Sequence, residues 1–164
     1  MSEEFFNCSK CGYCCRTLWE HQEGILLGLA LLTQEEKELF NPEDIVPKWA
    51  IGKKHPTEIL CYQMKLAVCP HLKEKNECLV YQKRPLVCRS FPMTYTIEES
   101  SVDIKCPQIS KLTEKELYQL WFSDEINETM AKINSIVMNL LKKQKNGLNF
   151  WNFDIASNKW IIEN

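Results

Sequence analysis

Arginine is scarce in this 164-residue chain, with three residues against 17 lysines. An excess of either charge is also missing, since 20 Lys+Arg meet 22 Asp+Glu for a net charge of −2. That balance excludes a non-specific nucleic-acid binder, which needs a basic surplus to replace phosphate counterions. Long apolar runs are absent too. The longest, 24–32, has nine residues, whereas a membrane span needs about 20, so a soluble chain with no membrane partner is expected. No G-x-G-x-x-G and no P-loop occurs, which leaves no nucleotide fingerprint. Repeats, low-complexity tracts and flexible linkers are lacking, and the length suits one domain over 1–164. The first residues, Met-Ser-Glu-Glu-Phe-Phe, carry neither the basic segment nor the apolar core of a secretory leader. A cytoplasmic location is the expectation, and thiols stay reduced there.

Cysteine is what the chain has in plenty, with nine residues. An odd number cannot pair completely within the chain, and 45% hydrophobic residues build a core without disulfide staples. Buried thiols, metal ligands and catalytic thiols remain. The densest stretch is Cys8-Ser-Lys-Cys11-Gly-Tyr-Cys14-Cys15-Arg16, read as a loop or single helical turn around a ligand, with Gly12 allowing the tight turn. Cys61, Cys69, Cys78, Cys88 and Cys106 follow. Close-spaced thiolates supply several metal ligands at low entropic cost, and distant ones close the site. C-x2-C-x2-C also begins the bacterial ferredoxin run, yet position 18, where the fourth ferredoxin cysteine would stand, is Leu18. A zinc ribbon is excluded because a second C-x2-C is missing. All three arginines, Arg16, Arg84 and Arg89, lie next to or four residues from a cysteine. Guanidinium groups there offset thiolate charge and hydrogen-bond sulfur.

The chain divides into a cysteine-cluster region (8–106), a helical scaffold (111–147) and an aromatic tail (148–164). The fold class expected is α+β, a small single domain around a cysteine metal centre, with short strands and a long C-terminal helix. Thr33 and Glu36, and again Thr113 and Glu116, fit capping boxes. Residues 57–68 read as a strand. Residues 94–97 and 102–106 read as a hairpin. The apolar stripe after Thr113 predicts a helix broken near Ser123-Asp124, with Lys142, Lys143 and Lys145 in its last turn and Gly147 as C′. The tail is expected to pack as one or two strands.

The combination C-x2-C-G-x-C-C, a later Cys69-Pro-His71-Leu, and Cys78-x-x-Tyr81-x-x-Arg84-Pro-x-x-Cys88-Arg89-x-Phe91-Pro resembles the CxxCxxCC cysteine-cluster family. Members are described as zinc- or iron-chelating or as Fe–S-cluster proteins, and flagellin lysine N-methylases are larger relatives. The resemblance covers roughly 8–106. It implies eight metal-ligating cysteines: Cys8, Cys11, Cys14, Cys15, Cys69, Cys78, Cys88 and Cys106. Cys61 falls outside the pattern and reads as a buried thiol. His71 is the best placed of three histidines, and Tyr81 and Phe91 read as walls of the site. The cofactor expected is an iron–sulfur cluster, [4Fe–4S], or zinc, since soft thiolates bind both. Three functions follow: a redox-active cluster protein, a structural zinc module for a protein partner, and a part in protein methylation. The sequence leaves the partner, the oligomeric state and any enzymatic activity open.

Overall fold

Nine short strands separated by polar turns form in the described residues, which are 10–95, 100–145 and 147–163 of the computed structural model. Cys8 and residues 96–99 lie outside them. One helical turn, α1 (Tyr13–Arg16), precedes a hairpin of β1 (Trp19–Gln22) and β2 (Ile25–Gly28). Its two turn residues, Glu23 and Gly24, both take positive φ, the twist that a two-residue hairpin requires. Then come β3 (Ala30–Leu31), α2 (Gln34–Lys37), β4 (Ile45–Gly52) and β5 (Glu58–Met64). After a long irregular stretch follow α3 (Leu86–Ser90), the hairpin β6 (Met93–Tyr95) and β7 (Ser100–Val102), α4 (Glu114–Trp121), α5 (Asp124–Leu141), β8 (Asn149–Asp154) and β9 (Lys159–Ile162). This is the mixed helix-and-strand single domain that the sequence predicts.

The main sheet runs β3-β5-β4-β8-β9, antiparallel throughout. Pro47 sits in central β4, where proline cannot donate to the ladder. The register shifts beside it, between Pro47 and Trp49 and again before Ala50, and Lys48 is turned inward to be buried. Gln63 is completely buried. Its Oε1 accepts from Gly28 N at 2.8 Å, and its Nε2 donates to the carbonyls of Pro47 and Phe153, both at 2.9 Å. Lys48 Nζ donates to Gly28 O at 3.0 Å, so both ends of residue 28 are tied to the sheet. Asp154 accepts from Leu26 N at 2.9 Å. These side chains fasten the β1–β2 hairpin to the sheet.

Both capping boxes form as the sequence predicts, at Thr33 with Glu36 and at Thr113 with Glu116. The helix breaks at Ser123, also as predicted. On α5 the buried Ile126, Thr129, Ile133 and Val137 recur at helical spacing. Ile133 and Val137 pack with Leu32 and Leu86, which brings α5 under α3. Leu120 and Ile126 pack with Met93, Cys106 and Ile109. The strand read over 57–68 is shorter, Glu58–Met64, the chain bending away after Lys65 N bonds to Asp44 O at 2.8 Å. Two further local expectations are corrected. First, α5 ends at Leu141, where 3-10 bonds from Lys143 N to Leu140 O and from Gln144 N to Leu141 O close it. Lys143 and Lys145 therefore lie past the last helical turn, and Gly147, at φ +86°, belongs to the turn into β8 instead of capping the helix. Second, β7 ends at Val102. Asp103 makes the next turn, its Oδ1 accepting from Lys105 N at 2.9 Å and its carbonyl from Cys106 N at 3.1 Å. Among the described residues no helix is long and apolar enough to cross a membrane.

Candidate metal centre

Gly12 lets the first cysteine turn close. Its φ is +74°, a region that side chains with a Cβ enter at a cost. A Cβ there would stand 2.1 Å from Arg16 Nη1 and 2.7 Å from Asn76 Oδ1. The chain then winds once through α1, which carries Cys14 and Cys15. Tyr13 N donates to Cys11 Sγ at 3.5 Å, and Arg16 Nη1 donates to the Cys11 carbonyl at 3.4 Å.

The second cysteine stretch is knitted to the first through backbone. Cys69 N donates to Cys15 O at 2.7 Å, and Leu18 N donates to Ala67 O at 3.0 Å. Cys78 bridges back to Leu72, and Leu79 N donates to His71 O at 3.0 Å. Cys88 rides on α3. That helix is anchored by Glu36, whose Oε1 accepts from Leu86 N at 2.7 Å while Oε2 accepts from Leu32 N at 2.7 Å and Thr33 N at 3.4 Å. Glu36 is buried. The sequence shows it only as the N3 partner of a capping box. Its reach to a helix fifty residues on has no local signal.

Electrostatics places Cys14 at the middle of the group. The Cys15 thiol donates to Cys14, which holds the Cys14 thiol below the usual range and pushes Cys15 well above it. Burial pushes up Cys69, Cys88 and Cys106. Each of these three is raised further by the nearby Cys14 thiol, while Cys78 acts on Cys69 and Cys88, and Cys11 acts on Cys106. Arg84 works the other way, lowering Cys14 and Cys88. The thiols are thus near enough to oppose one another's ionisation. Among the described residues, no three Cys, His, Asp or Glu side chains stand in a ligating arrangement. The donor set suits a soft cation all the same. Thiolates that repel one another are the groups whose joint ionisation a thiophilic metal makes favourable. Cys11, Cys14, Cys15, Cys69, Cys78 and Cys88 would hold it, with Cys106 behind them, and its positive charge would neutralise theirs.

The other candidates have definite places. Cys106 is buried in the apolar cluster of Met93, Ile109, Leu120 and Ile126. Cys61 is buried on β5, outside the group, its thiol pushed up to about 12 by burial against the pull of Lys48. His71 donates from Nε2 to Leu39 O at 2.7 Å and packs its ring on Phe40. Arg84 lies 4.1 Å over the Tyr81 ring. Arg89 Nε donates to the Arg84 carbonyl at 2.8 Å. Phe91 packs on the Cys106 cluster.

Loops that gather thiols around one helical turn, on an α+β scaffold, define a cysteine-based chelating domain. The chain belongs to the CxxCxxCC family, whose model, described as "putative zinc- or iron-chelating domain", matches residues 7–129. The match runs past the last cysteine through α4 and into α5. No curated protein and no solved structure matches the chain.

Proposed function

We propose that this chain holds an iron–sulfur cluster, [4Fe–4S], on its thiolates and serves a redox or cluster-dependent role in the reducing cytoplasm. The observation that carries this reading is the grouping of Cys15, Cys69, Cys88 and Cys106 about Cys14, with Arg84 as the cation acting on it. An all-sulfur donor set with a guanidinium beside it suits a cluster of net negative charge, whose potential such neighbours tune. The bond from His71 to Leu39 already engages one ring nitrogen.

A second reading is a structural zinc module. It is favoured by one feature, the exposed aromatic pair at the C-terminal end of α4, where Tyr118 and Phe122 stack with centroids 4.5 Å apart. Patches of that kind mark interaction surfaces.

Purification without oxygen, followed by a visible spectrum and iron, zinc and sulfide analysis, separates the two. Matched iron and sulfide with a visible band bleached by reductant supports the cluster. A colourless chain with stoichiometric zinc replaces it by the module. Cys11→Ser and Cys88→Ser should each lose most of the bound metal, and Cys61→Ser should keep it. Full metal content in Cys11→Ser would remove the site assignment.

A further inference from the structure

Charge is not spread evenly over this nearly neutral chain. The two stretches that bear the grouped thiols, 10–18 and 65–92, hold eight of the 20 Lys+Arg and only two carboxylates, Glu74 and Glu77. The rest of the chain is left with twelve cations against 20 acids. All three arginines are in the basic part. The stretches adjoin, since Cys69 N bonds to Cys15 O and the Asn76 side chain lies against Gly12. None of these cations makes an ion pair among the described residues, where the single pair is Lys143 with Glu58.

The same surface exposes apolar side chains beside the cysteines. Val68, before Cys69, is 48% exposed; Leu79, after Cys78, is 54% exposed; Leu66 and Tyr81 are 37% and 41% exposed. Their backbone is ordered by hydrogen bonds, as in Leu79 N to His71 O, so their exposure is built in. The basic surface stops at a cleft of about 490 Å³ between α2 and α3, where Glu35 and Glu38 share the walls with Lys83 and Arg89.

We propose that this thiol-bearing face docks a protein partner with an acidic surface. Opposite charge steers encounter and orients the two faces, and a small apolar centre holds them once water is expelled. That the partner works through the thiol site rests on the metal reading above. The surface rests on its own charges and apolar side chains. A nucleic acid would not use four exposed aliphatic and aromatic residues around a cysteine loop, and the chain's overall negative charge opposes it.

The test uses the full chain and two probes of opposite sign, an acidic [2Fe–2S] ferredoxin and a basic cytochrome c, in calorimetric titrations at two salt concentrations. The ferredoxin should bind at low salt and weaken about tenfold on going to physiological ionic strength, while cytochrome c should bind at least tenfold more weakly. Lys73→Glu with Lys75→Glu should weaken ferredoxin about tenfold, and Leu79→Ser severalfold. Lys132→Glu on exposed α5 should change nothing. Equal binding of both probes, an equal loss in Lys132→Glu, or displacement of ferredoxin by lower concentrations of duplex RNA or anionic vesicles would each overturn the proposal. Iron and zinc are measured on every sample. A metal-free sample that still binds ferredoxin would leave the surface standing, and binding confined to metal-loaded samples would tie it to the metal reading.

Discussion

The sheet and the cysteine loops are held by different kinds of bond. In the sheet, side chains leave water to make contact. Leu31 and Met64 pack in one cluster, Ile51, Leu60 and Phe150 in another, and Gln63 satisfies three buried backbone groups. Between Ala67 and Pro85 the longest regular element is a three-residue 3-10 turn, and Val68, Leu79 and Tyr81 there face solvent. Burial supplies little to offset the entropy of ordering such a stretch. What this stretch contributes in place of a core is sulfur. Each half is therefore open to a different substitution.

The largest effect is expected in the sheet. Gln63→Leu keeps the volume but strands Gly28 N–H and the carbonyls of Pro47 and Phe153. At roughly 1–3 kcal/mol for each unpaired buried group, the loss is about 3–9 kcal/mol. Urea unfolding measures it, and a loss under about 1 kcal/mol would show that the clamp does not hold the sheet. Next is Glu36→Gln, where an amide N–H₂ replaces one of two accepting oxygens and meets a backbone donor. A cost of about 1–3 kcal/mol follows, and amide exchange should quicken in α3 while β4 and β5 stay protected. Equal acceleration in both would abolish the division between the halves.

A smaller effect belongs to the cysteine turn. Gly12→Ala forces a side chain into left-handed backbone, at about 1–2 kcal/mol, and into the space of Arg16 and Asn76. Metal content should fall while the far-ultraviolet spectrum of the sheet is kept; retained metal with a lowered melting temperature would reverse the assignment of that turn. The smallest is Thr113→Ala, the loss of one N-cap, at about 1 kcal/mol. Thermal unfolding should register it and metal analysis should not. Metal lost from Thr113→Ala would mean that α4 supports the centre directly.

Features coded within a few residues were legible in the sequence. Both capping boxes depend on residues three apart, the break at Ser123 on the polar Ser123-Asp124 pair, whose serine hydroxyl donates back to Leu120 O, and the strand over 58–64 on its own apolar pattern. The turn at Gly12 was readable because few residues other than glycine take positive φ there at little cost. Errors arose where the chain must leave one element for a distant partner. The end of α5 and the end of β7 are set by the paths to β8 and to Cys106, and Gly147 and the lysines carry no local sign of them. Arg16, Arg84 and Arg89 look alike in sequence. In the structure only Arg84 is a leading charge on the thiols, because Arg16 turns to the Cys11 carbonyl and Arg89 to the Arg84 carbonyl.

The donor chemistry of this protein is local and readable along the chain. Nine cysteines, their spacing and the few arginines beside them place the chain among the thiol chelators, since donor type and local turns are properties of short segments. Folding selects which thiols act on one another's ionisation. Cys15, Cys69, Cys88 and Cys106 each feel the Cys14 thiol, whereas Cys61 sits on β5 beside Lys48, because Glu36 anchors α3 and the backbone of Cys69 joins that of Cys15. Folding also decided that Gln63 and Lys48 would be buried and not solvated, through contacts with carbonyls and amides up to 90 residues away. Such contacts depend on the closed sheet, and a reading that runs along the chain has no access to them.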